Sequence, residues 1–222
     1  MNREWSELNR TMQLQLKKRE TFGAAIDTLL QLRSSLMEQM LLFRELCSEE
    51  DFCAMPFPNA QGYHSKTIAY SLWHIFRIED ITAHSLIAGD QQVLFAGDWQ
   101  KRIGSPLITT GNELVGEQIV DFSRQLQLDE LYRYMAAVDS STAQVLQSLS
   151  FEDTRVKMTE EKKRQLQALE VVSEDESARW LIDYWCSKDV RGLIQMPLSR
   201  HWIMHVEACL RIGSRLQPGA PA

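Results

Sequence analysis

Helical periodicity runs through most of this chain, and it is strongest in "SKTIAYSLWHIFRIEDITAHSLIA", residues 65–88. Apolar residues there recur at three and four positions, the spacing that lines one face of a helix. Runs of alternating apolar and β-branched residues bounded by turns are scarce, so the fold class is all-α. Gly89 and Asp90 directly after this segment supply a C-terminal stop.

The same reading predicts a helix over about 3–18 and another over about 21–46, where Leu29, Leu30, Leu36, Met40 and Leu41 recur at helical spacing. Pro56, Pro58 and Gly62 mark 51–62 as a loop. From about 91 to 126 the pattern weakens around Gly97, Gly104, Pro106, Gly111 and Gly116, which predicts short helices and loops able to wall a pocket. A long helix follows over about 129–149, with Leu131, Met135, Val138, Val145 and Leu149 inward. The charged stretch around "TEEKKRQLQ" reads as an exposed amphipathic helix. "SEDESARW" opens another, with Ser173 as its N-cap. Pro197 suits the first turn of a last helix over 198–216. Four long helices with short ones between them, and no fixed repeat, predict a four-helix bundle domain over 21–216. An N-terminal helical extension over 1–20 precedes it, and a disordered tail over 217–222 follows.

A length of 222 residues, 44% of them hydrophobic, allows a sizeable core. The formal charge of −6 leaves no basic excess for phosphates or anionic lipid, which argues against nucleic acid and membrane partners. The polar start "MNREWSELNR" has no apolar signal-peptide core, and no apolar run is long enough to span a bilayer, so a cytoplasmic location is expected. Cys47, Cys53, Cys186 and Cys209 form no CxxC pair and read as reduced thiols.

Against that background the histidines carry the chemistry. "HWIMH" puts His201 and His205 one turn apart, about 40° from each other on the helix wheel, on a stripe shared with Leu198, Ala208, Cys209 and Ile212. Two imidazoles on an apolar stripe need hydrogen bonds or a metal, and spacing alone leaves metal binding and plain core packing both open. Trp202 stands where the HExxH proteases carry their glutamate, which excludes that motif. His74 shares a mixed stripe with Thr67, Tyr70, Ser71, Ile78, Ile81 and Ser85, whereas His64 and His84 read as ordinary. Glu79 and Asp80 lie about 140° and 120° from His74 and read as helix-surface or interhelix pairs. Arg77, about 60° away, is a candidate anchor for an anionic substrate, beside the alternative of a solvent-facing Arg. Tyr70 is a candidate ligand contact or core residue. Trp73, Trp180, Trp185 and Trp202 read as packing residues.

"SLWHIFRIED" at 71–80 together with the later "HWIMH" resembles the DinB/YfiT-like superfamily of metal-dependent enzymes. The resemblance implies a helical bundle, commonly homodimeric, in which His74, His201 and His205 bind a divalent ion, with zinc or nickel first and iron next. It also implies a small-molecule substrate and either activation of a low-molecular-weight thiol, as in S-transferases, or activation of water, as in hydrolases. Many members continue with an HxxxHxGQ-like string, but "VEACLRIG" follows His205 here, and a register using His205 and Cys209 stays open. The other class of function is a non-catalytic helical interaction module whose metal site is vestigial or absent.

Overall fold

A computed structural model describes residues 2–217, and among these the chain is helical with no strand, only an isolated bridge between Lys157 and Asp189. No helix is long and apolar enough to cross a membrane. The sequence's tail expectation falls mostly on 218–222, outside the described residues. Gln217 itself is tied down, its amide donating to the Leu46 carbonyl and to Asp51.

Helix α1 (Arg3–Gln15) folds back along α2 (Phe22–Leu46). Trp5 donates its indole N–H to Ser35 Oγ, and Thr28 donates to the Gln15 side chain, so the two run antiparallel. Ser48 and Asp51 cap each other's ends to start a short helix α3 (Glu49–Cys53), where the sequence pattern predicted loop. The prolines that suggested the loop come just after it.

The central element is α4 (Ile68–Asp80), capped by Thr67, and all 13 of its residues are buried. It continues as a wide π-helical turn over Ile81–Ala88 and stops at Gly89, whose φ of 74° suits a residue without Cβ. Next come α5 (Val93–Ala96), α6 (Trp99–Ile103), α7 (Glu117–Gln125) and the long α8 (Leu128–Ser148). On α8, Leu131, Met135, Val138 and Leu146 are buried. Val145, predicted inward, is only half-buried.

Helix α9 (Glu160–Ala168) is mostly exposed and inserts Leu166, as its charged pattern predicts. Helix α10 (Glu176–Cys186) is capped by Asp175 rather than Ser173, because Ser173 instead accepts from the Asp175 N–H in the preceding turn. After α11 (Val190–Gln195), a second π-helical turn over Met196–Arg200, with Pro197 near its start, leads into α12 (His201–Leu216).

Four long helices enclose the larger core. Tyr132 donates to the Met40 carbonyl and Arg33 pairs with Asp139, so α8 runs antiparallel to α2. Arg33 lies over Trp202 and Gln217 reaches Leu46, so α12 runs parallel to α2. Phe76 packs on Trp202 and His74 on His205, which sets α12 antiparallel to α4. The apolar stripes of α2, α4, α8 and α12 thereby meet in one cluster that holds Leu36, Trp73, Phe76, Met135 and Trp202.

Candidate metal centre

His74 enters the core from the middle of α4, and α12 opposes it with His201 and His205 one turn apart. The ring centroids lie 5.1 Å (74 to 201), 4.8 Å (74 to 205) and 4.6 Å (201 to 205) apart. One nitrogen from each residue falls within 4.8 Å of the others. Nitrogens sharing one zinc at about 2.1 Å each stand no more than about 4 Å apart, so a small inward rotation of the rings closes the set on an ion. The three residues named from the sequence thus come together in the fold, from helices far apart in the chain.

Each imidazole is almost fully buried, at 5%, 7% and 2% exposure for His74, His201 and His205. Burial pushes the His74 pKa down to about 4, against the pull of its carbonyl partner. Burial, followed by repulsion from the neighbouring rings, holds His201 and His205 well below the ordinary histidine range. All three are neutral at pH 7 and offer lone pairs.

His74 Nδ1 lies 2.7 Å from the Thr110 carbonyl oxygen. A carbonyl only accepts, so Nδ1 carries the proton and Nε2 is left with its lone pair free. That contact fixes the tautomer a metal-binding histidine needs. Thr110 belongs to the irregular 105–116 loop, and Arg77 anchors it: Nε and Nη2 both donate to the Ile108 carbonyl, at 3.0 and 2.8 Å. The remaining Arg77 donors reach Asp80 and Gln92. Asp80 in turn accepts from the backbone N–H groups of Val93 and Leu94 and from Tyr134 Oη. The chain is therefore linked from the α4 carboxylate through Arg77 and the loop to the ligand ring.

Arg77 is neither the substrate anchor nor the solvent-facing residue weighed from its wheel position. It is fully buried, it does not line the adjoining cleft, and its donors are committed to protein groups. Tyr70 stacks on His74 at 5.5 Å and donates to the Gly111 carbonyl, which places it as a wall of the site. Gly111, at φ 76°, lets the loop pass so close that a Cβ there would meet the Tyr70 ring at 3.1 Å. Cys209 is buried one turn beyond His205 but outside the cluster of three. Burial raises its thiol to about 12, so it is protonated at pH 7.

Glu79 and Asp80 are fully buried, which corrects the helix-surface half of their reading and keeps the interhelix half. Glu79 receives two 2.7 Å bonds from Arg33 of α2. His64 lies in a short turn over Gly62–His64, and His84 is paired with Asp90.

His201 Nδ1 and both ring nitrogens of His205 are buried without a hydrogen-bond partner in the protein. Isolated orphans occur elsewhere, as at Trp73 Nε1, but here three belong to adjacent imidazoles. Each costs about 1–3 kcal/mol if left unsatisfied. A divalent cation satisfies one lone pair on each ring at once, and the neutral all-imidazole donor set suits zinc, nickel or ferrous iron.

On one side the cluster is covered. Tyr63 meets His205 edge to face at 4.7 Å. On the other, His74 and His201 form part of the wall of a cleft of about 300 Å³, shared with Tyr63, Asn112, Trp180 and Tyr184 among others. The sequence reading missed Tyr63 and Asn112, which sit in segments without periodicity, and took Trp180 and Trp185 as packing. Only Trp180's poor fit to an inward stripe could have marked it. No protein-family model matches the chain, and no curated protein matches it.

Proposed function

We propose that this chain is a metal-dependent enzyme of the DinB/YfiT-like type, a four-helix bundle with added short helices that binds one divalent ion through His74, His201 and His205. The observation that carries the reading is the cluster of partnerless, buried, neutral imidazoles beside an open cleft. Zinc or nickel is the expected ion, with ferrous iron next. When bound, such an ion lowers the pKa of a coordinated water or thiol and polarises a carbonyl.

The chain's own residues prepare the site. Thr110 holds the His74 proton on Nδ1, Tyr70 and Tyr63 wall the rings, and the cleft leaves one side of the cluster open to a small molecule. No Asp or Glu lines that cleft among the described residues, so the reading assigns ionisation of the reacting thiol or water to the ion rather than to a protein base. A cytoplasmic homodimer acting on a low-molecular-weight substrate completes the proposal.

Elemental analysis of protein purified without added chelator tests it. One zinc, nickel or iron per chain, lost in His74→Ala and His201→Ala while helical content is kept, is the expected result. Protein that neither carries such an ion nor gains melting temperature when zinc or nickel is added refutes the reading.

A further inference from the structure

The cleft beside the histidines has a chemical character of its own. Its wall is made by Tyr63, Ile78, Trp180, Leu181, Tyr184, Trp185, Met196 and Pro197, with Asn112, His74 and His201 at the metal end. No Lys, Arg, Asp or Glu is among the lining residues. Lys188 lies 4.5 Å from the Tyr184 ring centroid, yet it takes no part in the wall. An anionic or cationic substrate group placed here would lose its water and gain no opposite charge, a heavy penalty.

Trp180 is the second observation. Its side chain is large and apolar, yet it stays 49% exposed on a helix whose other apolar residues, Leu181, Ile182 and Trp185, are buried. Its indole N–H is already spent on the Ser177 carbonyl, and the Tyr184 ring meets it edge to face at 5.8 Å. What remains to offer is a ring face, held in place at the rim. Trp185 lies fully buried behind it. At the metal end, Asn112 Oδ1 accepts from Thr110 Oγ1, which fixes the amide, and no partner within the described residues takes its Nδ2 protons.

Resting on the metal reading above, we infer that the site's substrate carries an uncharged, flat, apolar body, which lies between Trp180 and Tyr184 on one side and Met196 and Pro197 on the other. A hydrogen-bond acceptor on that body meets Asn112 Nδ2 next to His74. The volume of about 300 Å³ suits a body the size of a substituted aromatic ring rather than a long peptide. A polar, multiply charged thiol by itself does not fit this wall. Where a thiol reacts here, the cleft receives its apolar partner.

Calorimetric titration of zinc-loaded protein with three probes tests this: imidazole, phenylimidazole, and phenylimidazole bearing a carboxylate on its ring. The phenyl group is expected to tighten binding about tenfold or more over imidazole, and the carboxylate to remove that gain. In Trp180→Ala, imidazole affinity should hold while the phenyl advantage shrinks several-fold. Because Trp180 is half-exposed, that variant keeps its core. Equal affinity for imidazole and phenylimidazole, or tightest binding of the carboxylate, overturns the inference and leaves the metal reading standing. Failure to load zinc, read separately by elemental analysis, overturns the metal reading and this inference with it.

Discussion

Replacing Arg33 with Met should destabilise the protein by about 3–5 kcal/mol, and more so at high pH than at low. Arg33 and Glu79 are 2% and 0% exposed at the side chain and are joined by two parallel bonds of 2.7 Å. Arg33 also donates to Asp139 and to the Leu198 carbonyl, and its guanidinium lies 4.2 Å from the Trp202 ring centroid. Methionine fills part of the volume but removes every donor. Asp139, one-third exposed, can return to water, whereas Glu79 cannot.

A buried carboxylate that loses its only cation carries the full cost of desolvation. Glu79 is already pushed above the ordinary carboxylate range by burial, with Arg33 pulling the other way. Without Arg33 its folded pKa climbs further above the unfolded value of about 4.3. An acid whose folded pKa is raised contributes stability that is present below the unfolded pKa and lost as pH rises through the folded one. The penalty in Arg33→Met should therefore be larger near pH 8 than near pH 5.

Urea unfolding at the two pH values reads it, and the double variant Arg33→Met with Glu79→Gln should recover much of the loss because no charge is then stranded. A cost below about 1 kcal/mol, or one equal at both pH values, would refute the claim that this pair is a desolvated ion pair. The pair ties α2 to α4, and through the Leu198 carbonyl to the turn that introduces α12, so the same variant should also bind metal more weakly.

His205→Leu should abolish metal binding yet leave the metal-free protein as stable as the parent, or up to about 2 kcal/mol more stable, since two unsatisfied nitrogens are removed; chelator-treated samples unfolded in urea decide it. For the metal-free parent, His74 alone should cost about 3 kcal/mol as pH falls from its ordinary 6.5 through its folded value of about 4. A depressed folded pKa gives stability that is present above 6.5 and lost on acidification, and His201 and His205 add in the same direction, so a flat profile over that range contradicts their neutral burial. Arg77→Lys keeps the charge but loses the forked grip on the Ile108 carbonyl, and should weaken zinc binding about tenfold in a competition with a chelating dye, with no change in the ligand set.

How much of this was legible in the sequence depends on whether a residue acts through its side-chain pattern or through its neighbours. His201 and His205 stood out because one turn of helix places them together on an apolar stripe, and His74 because "SLWHIFRIED" is periodic. The wheel failed at Arg77, Glu79 and Asp80. It assumes one buried face, and α4 is buried all round, so residues opposite the stripe are as enclosed as those on it. The partner that orients His74 is a backbone carbonyl in a loop, for which no side chain gives a signal. Asn112 and Tyr63 come from the same kind of segment. Trp180 and Trp185 look alike in sequence, and only the packing of α10 separates the rim from the floor.

The wide turn over Met196–Arg200 has a consequence for how this site is inherited. Such a turn holds one residue more than a regular helix accommodates, so it sets the rotation of everything after it. Deleting a single residue there would let α11 and α12 merge into one regular helix, and would swing His201 and His205 together by about 100° away from His74. "HWIMH" would be intact, letter for letter, and the cluster gone. Copies of this chain that keep the motif but differ by one residue in this turn are thus expected to be silent at the site, and length there is as diagnostic as the histidines themselves.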